Sequence, residues 1–367
     1  MSRLLYVVHA LPDWDPSGTP LVTTSYMTQA IEAGHEVAVA IPALPDSRTV
    51  QMPGITVIPM ARAGELPWAL MAYTKAPDDI PGSAQVKKFH PDLVHVIDWV
   101  HFPSGLLKAL RELQVPIIRH MWSLEDMCAF IDPICFLPDH RPCQTLSENQ
   151  CGECIVRRLV NVRTSVDGPI DQVIEQFTKS RALNVEHFAK RMNTKWQTFQ
   201  RHLESLYTVI VFPCNSFRKY AEGLFPFASV RCETIEHGLA EPAVAMQTPA
   251  ERPPHFVFLG PCESRKGWPI IEAAFSRILD QRPGSLQLRA YGASPQSPLS
   301  SRQGVSLLPS FSYSRLSEIL TGAHVGLLPS FFETFSRACR EFLAHGLAVV
   351  GSEAYGIPMP SIMSKTA

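Results

Sequence analysis

Short runs of apolar, often β-branched residues alternate along this chain with stretches whose apolar positions recur every three to four residues. That alternation is the pattern of repeated β-α units feeding parallel sheets. A first series places strands near Leu4–His9, Glu36–Ile41, Ile55–Pro59, Leu93–Ile97, Pro116–Arg119 and Thr208–Phe212. A second series begins at His255–Leu259 and continues through Leu286–Tyr291, Val305–Leu308, Val325–Leu328 and Ala348–Val350. Between them Leu239 to Pro254 is rich in proline and small residues and reads as a linker. The expectation is an α/β chain with two Rossmann-like, doubly wound domains, residues 1–245 and 246–367. Open α/β sheets bind ligands beyond the carboxyl ends of their strands, so two such domains face to face would share a central cleft, one holding a donor and the other an acceptor.

The length of 367 residues exceeds what one hydrophobic core usually supports, which agrees with two domains. A net charge of −1 supplies no global field to recruit nucleic acid, so DNA and RNA drop out as expected partners. Met1 to Ala10 passes directly into Pro12, Asp13 and Asp15 without the features of a signal peptide, and no window has the uninterrupted apolar length of a membrane span. A cytoplasmic protein, at most peripheral to the inner face of a membrane, is expected. No G-x-G-x-x-G follows the first strand, and Gly18 lies well beyond its end, which disfavours a nicotinamide dehydrogenase.

The densest chemistry lies between Gly326 and Ser352. A buried strand leads into Pro329-Ser330-Phe331-Phe332-Glu333-Thr334-Phe335-Ser336, and a helix expected directly after Glu333 carries Arg337, Cys339, Glu341 and Leu343 to Gly346. The first N–H groups of such a helix lack intrahelical partners and carry partial positive charge, which suits a diphosphate. Glu341 stands roughly 12 Å along at 1.5 Å per residue, far enough to bracket a sugar at one end and a ribose at the other.

Pro329-Ser330, Glu333-Thr334-Phe335-Ser336, Glu341, Ala344-His345-Gly346 and Val349-Val350 together resemble the E-x7-E segment of the retaining GT-B glycosyltransferases of family 4, the glycosyl transferases group 1. The resemblance implies that Glu333 contacts the transferred sugar, that Phe335 and Ser336 hold the diphosphate, and that Glu341 binds the ribose hydroxyls. Upstream, Phe256 to Trp268 resembles the family's strand followed by Gly-Arg and Lys-Gly. There Lys266 would neutralise donor phosphate; Pro261 stands where the family has Arg, and Arg265 would substitute by reaching back. In the first half, Ser17-Gly18-Thr19 is similar to the family's Gly-rich loop, where Gly18 would let the backbone approach the donor diphosphate or the acceptor. Pro116 to Trp122 is similar to its strand end, a Pro-led apolar run closed by His-Asp, with His120 lining the sugar site and Met121 in the place of Asp. Glu236-His237-Gly238 is similar to the family's Asn-Gly turn, with His237 in the place of Asn, and reads as structural. Family membership further implies a nucleotide-sugar donor, a glycan or lipid-linked acceptor, retention of anomeric configuration, and no metal or other cofactor in the chemistry.

An insertion is expected at about 122–206. Cys135, Cys143, Cys151 and Cys154 lie there, and Cys151-Gly152-Glu153-Cys154 has the spacing of half a tetrahedral site, so a structural zinc is weighed against free thiols. The odd total of nine cysteines argues against a disulfide framework. From Ile155 to Leu203 nine Lys or Arg stand against four Asp or Glu, and Phe188, Met192, Trp196, Phe199, Leu203 and Leu206 form one apolar stripe. The region near 181–206 therefore reads either as a basic amphipathic helix lying on an anionic membrane or as a helix packed on the first domain. Family members continue beyond Gly356-Ile357-Pro358, whereas only Met359 to Ala367 follow here, which implies a shortened C-terminal end. Pro261 and that ending keep open a degenerate glycosyltransferase-like binding protein; a second alternative is a sugar-nucleotide epimerase, which shares the GT-B fold but would not need the acceptor-side insertion.

Overall fold

The computed structural model describes residues 1–15, 17–43, 51–61, 82–99, 101–103, 106–129, 142–163, 184–239, 253–292 and 296–353. The chain divides into two compact units, Met1–Asp139 with Cys143–Glu236, and His140–Pro142 with His237–Ala367. Most of the stretch read as a linker, residues 240–252, lies outside the described residues, as does everything after 353.

The first unit is built on a parallel sheet of seven strands: β1 (Arg3–Val7), β2 (Glu36–Pro42), β3 (Ile55–Met60), β4 (Leu93–Val96), β5 (Ile117–His120), β6 (Val209–Phe212) and β7 (Arg231–Thr234). Their order across the sheet is β3-β2-β1-β4-β5-β6-β7. Leu4 to Val7 and Val37 to Ile41 are buried on both faces, as near-continuous apolar strands must be when helices cover both sides. Strand β7 escaped the sequence reading. Arg231-Cys232-Glu233-Thr234 has no fully buried residue, and only its parallel pairing with β6 makes it a strand.

The second unit has five parallel strands, β8 (His255–Leu259), β9 (Gln287–Tyr291), β10 (Val305–Leu308), β11 (Val325–Leu328) and β12 (Ala348–Gly351), in the order β10-β9-β8-β11-β12. Trp268, Ile271, Phe275 and Leu279 line one face of the Trp268–Gln281 helix and pack with Phe258, Leu288 and Ala290 on one side of the sheet. On the other side Val257 and Val349 meet Leu316, Ile319, Leu320 and Phe342. The sheet is thus covered on both faces, and the expected pair of doubly wound units is present. A Cβ at Gly326 would lie 2.1 Å from the Phe342 ring, so bare backbone in β11 lets the Arg337–Ala344 helix sit directly on the strand.

The long helix Val185–Ser205 is capped by Asn184, whose side chain accepts from the Glu186 N–H at 2.9 Å. Its stripe is spent on the protein interior: Phe188 and Met192 are 0% exposed and Phe199 and Leu203 nearly so. Trp196 Nε1 donates to the Met127 carbonyl at 2.7 Å and Lys195 Nζ to the Cys128 carbonyl at 2.9 Å. The alternative in which this apolar stripe lies on a lipid surface is therefore corrected: burial within the first unit satisfies it. Among the described residues no helix is long and apolar enough to cross a membrane.

Candidate functional site

In each unit the strand order reverses beside the first strand, between β1 and β4 in the first sheet and between β8 and β11 in the second. The crevice beyond the carboxyl ends of such a strand pair is where open α/β sheets bind ligands. In the second unit, Lys266 follows β8 and Glu333 follows β11, so the topology delivers both to one switch point although 67 positions separate them. Lys266 Nζ donates to Glu333 Oε1 at 2.7 Å, and the side chains are 21% and 12% exposed.

Two backbone features clip the strand-end loops together. The Phe331 N–H donates to the Arg265 carbonyl at 3.0 Å. Gly267, at φ +73°, packs against Pro329 so closely that a Cβ would meet the Pro329 carbonyl oxygen at 1.9 Å. Only glycine satisfies both the left-handed backbone and that contact. The Lys-Gly pair is thus explained physically: glycine permits the approach that sets the lysine beside the glutamate. Ser330, 1% exposed, donates its hydroxyl to the same Glu333 oxygen at 2.7 Å. Arg265 is a third exposed, and its guanidinium lies 3.7 Å from the Glu263 carboxylate on the same loop.

The helix expected directly after Glu333 begins later, at Arg337, with Ser336 as its N-cap. Ser336 Oγ accepts from the Cys339 N–H at 3.3 Å, a local bond for which the neighbouring Phe335 has no side-chain acceptor, and this cap fixes the start. Phe335 and Ser336 accordingly precede the first helical turn. Glu341 sits on the fifth helical residue, and the span from Glu333 is part loop and part helix, which corrects the straight-helix estimate of their separation.

Arg337 pairs with Glu341 at 3.1 Å and stacks over Tyr313 at 4.7 Å, while Arg340 lies 3.6 Å above the Phe335 ring centre. His237 also packs against Phe335, ring centres 4.5 Å apart and the planes steeply inclined. Burial first, then the neighbouring Arg337 and Arg340 charges, push the His237 imidazole down to about 3, so it is neutral at physiological pH. His237 was read as structural, and Arg337, Arg340, Tyr313 and Ser330 were not singled out. Helix spacing could have flagged two arginines in one N-terminal turn, an unfavourable place for cations beside the helix dipole.

In the first unit His120 ends β5 and is buried, with its Nε2 3.1 Å from His95 Nδ1. His95 stacks on Tyr6, its register partner in β1, at 4.8 Å, and burial pushes it down to about 4, so it is a neutral partner. Gly18 opens the Gly18–Glu32 helix. Beyond β1 and β4, His9 stands at that unit's own switch point. Its Nδ1 lies 2.6 Å from Asp98 Oδ2 and its Nε2 2.8 Å from Asp15 Oδ2, while its backbone N–H donates to Asp98 Oδ1 at 3.0 Å. Burial lowers the pKa of His9, but the two carboxylates outweigh it and hold the imidazole up at about 10. Nothing in local sequence links His9 to Asp98, 89 positions away.

Arg119, fully buried one residue before His120, is held by Glu125 and by Asp126, the latter through Nη2 at 2.6 Å. Of the cysteines read as ligands, Cys135 lies outside the described residues. Cys151 and Cys154 occupy the Glu148–Arg163 helix rather than a turn, and Cys143 precedes it. Among the described residues no three His, Cys, Asp or Glu side chains gather in a metal-holding group.

Residues 253–364 match the family model of the glycosyl transferases group 1. No curated protein matches the sequence. Solved structures with the same fold include sucrose-phosphate synthase from Thermosynechococcus elongatus, 15% identical with a TM-score of 0.62, covering 98% of this chain and 83% of its own. A glycosyltransferase from Rickettsia africae is 13% identical with a TM-score of 0.58, covering 97% and 80%. A UDP-forming alpha,alpha-trehalose-phosphate synthase from Burkholderia vietnamiensis is 12% identical with a TM-score of 0.56, covering 97% and 84%. The likeness to the glycosyl transferases group 1 thus covers residues 253–364, in the second unit, and the two Rossmann-like sheets have the GT-B fold of these solved structures.

Proposed function

We propose that the chain is a retaining glycosyltransferase that moves a sugar from a nucleoside-diphosphate-sugar to a glycan or lipid-linked acceptor, in the synthesis of a surface polysaccharide or glycoconjugate. The observation that carries this reading is the Lys266–Glu333 pair beside the β8 and β11 strand ends, mostly buried but still reachable and clipped in place by Gly267. The second unit holds the donor. Lys266, with Arg265 and the N-terminal turn at Ser336 and Arg337, stabilises charge on the departing diphosphate; Glu333 positions the sugar, and Glu341 takes the ribose hydroxyls. A donor phosphate oxygen accepts the acceptor's proton, so the step needs no metal ion and no enzymic nucleophile. His120 and Gly18 belong to the acceptor-side unit and line its ligand end.

Release of nucleoside diphosphate from a panel of nucleotide-sugars, with and without candidate acceptors, tests the reading. UDP-sugars come first because a neighbour of the same fold is UDP-forming. Acceptor-dependent release is expected. Interconversion of the sugar without release would mark an epimerase, and binding without either would mark a degenerate protein. The zinc expected on Cys135, Cys143, Cys151 and Cys154 is likewise a proposal, decided by elemental analysis of purified protein. Membrane contact, with the apolar stripe buried, would fall to the polar face of Val185–Ser205, and flotation with anionic liposomes tests it.

A further inference from the structure

We propose that Ser330 is a positioning residue for the donor's sugar, holding Glu333 in place when Lys266 turns to the phosphate; the inference rests on the donor-site reading above. Glu333 Oε1 accepts two hydrogen bonds, from Lys266 Nζ and from Ser330 Oγ, each at 2.7 Å. Among the described residues neither bond uses Oε2, which keeps its lone pairs for a ligand. The two donors differ in kind. The ammonium sits on a long, partly exposed side chain and is drawn to whichever anion carries more charge, and a diphosphate carries more than one carboxylate. The hydroxyl of Ser330 is on a short side chain with 1% exposure, so water cannot compete for it.

Ser330 is itself braced. Its carbonyl accepts the hydroxyl of Ser352, just past β12, and the Ser352 N–H donates to the Leu328 carbonyl at 3.1 Å. The chain of bonds thus runs from the neighbouring strand end through Ser330 to Glu333. When the ammonium leaves Oε1 for the diphosphate, this chain remains and the carboxylate keeps its aim. The bond to Ser330 therefore contributes to sugar binding and to turnover, and contributes little to binding of a nucleoside diphosphate that lacks the sugar.

The test compares Ser330→Ala with the unmodified full-length protein by calorimetric titration. The probes are UDP, GDP and ADP, each beside its glucose or mannose conjugate, and nucleoside diphosphate release is followed in parallel. Alanine differs by one oxygen atom, and the variant's melting temperature checks that it folds. Affinity for the nucleoside diphosphate should change by less than about twofold, while affinity for its sugar conjugate and the turnover rate should each fall about tenfold, the loss of one hydrogen bond to a charged group. Equal weakening of both ligands would overturn the proposal, because that is what general damage to the site produces. Unchanged binding of both would overturn it as well. If Glu333→Gln loses the distinction between the two ligands and Ser330→Ala keeps it, only the role of Ser330 fails. If no nucleotide or nucleotide-sugar binds the unmodified protein, the donor-site reading fails with it.

Discussion

The two switch points carry similar chemistry used in opposite ways. At the first, the cation is an imidazolium with both ring nitrogens facing carboxylates, Asp98 from the end of β4 and Asp15 from the loop before Gly18. Carboxylate oxygens only accept, so this arrangement asks the ring to donate twice and to be protonated. A cation enclosed by two anions has little left to offer a ligand; it braces the loop. At the second, one ammonium and one hydroxyl converge on a single carboxylate oxygen, and the ammonium remains partly exposed. That cation can exchange its partner for a phosphate. Placement at a switch point makes both pairs candidates for chemistry, and the ratio of cations to carboxylates separates brace from binding site.

Breaking the second pair should have the largest effect. Glu333→Gln and Lys266→Ala should each lower turnover by about three orders of magnitude, as loss of a group that stabilises or positions developing charge does, with the melting temperature nearly unchanged. Near-normal release of nucleoside diphosphate in either variant would remove the distinction drawn between the two sites. In the first unit charge removal should register as stability. Arg119→Leu strands Glu125 and Asp126 in the interior and should cost on the order of 3 kcal/mol by urea denaturation.

His9→Asn sharpens the comparison through pH. The folded-state pKa of His9 is raised, so the stability it contributes is complete below its unfolded value of 6.5 and is lost as pH rises from there toward about 10. The variant should therefore be less stable than the unmodified protein by about 2 kcal/mol at pH 6, discounted for partial exposure, with the gap closing as pH approaches 10. A gap that stays constant across that range would show that His9 does not act as an imidazolium. Gly267→Ala should also cost stability, about 1 to 3 kcal/mol from the left-handed backbone, with the Pro329 contact adding to it. Its turnover should fall as well, because the displaced loop carries Lys266 away from Glu333. Retained turnover with intact stability would mean that the clip is not needed.

Much of the second unit was legible along the chain because its features are local. The buried runs of β8 and β11 are continuous in sequence, and Glu333 and Glu341 share one strand-loop-helix segment. The exact helix start was not legible. It depends on Ser336 turning its hydroxyl onto the Cys339 N–H, a choice that the neighbouring Thr334 also offers by composition. Strand β7 was missed because a polar edge strand has no burial signature of its own. The amphipathic stripe from Phe188 to Leu203 was legible as a stripe, but its period is the same whether protein or lipid covers it, and only the packing of Trp196 and Lys195 onto the 127–128 backbone decides.

By itself the sequence determined the class of the fold, the division into two series of strands, and the segment in which the Glu333 and Glu341 carboxylates lie, since apolar periodicity and short-range motifs need no knowledge of distant neighbours. The tertiary structure alone decided which charges meet. Lys266 reaches Glu333, and His9 reaches Asp98, across many positions of intervening chain because strand order carries each pair to the same reversal in its sheet. Electrostatic interaction falls off with distance in space and takes no account of distance along the chain, so pairing of this kind is settled only when the sheets have formed.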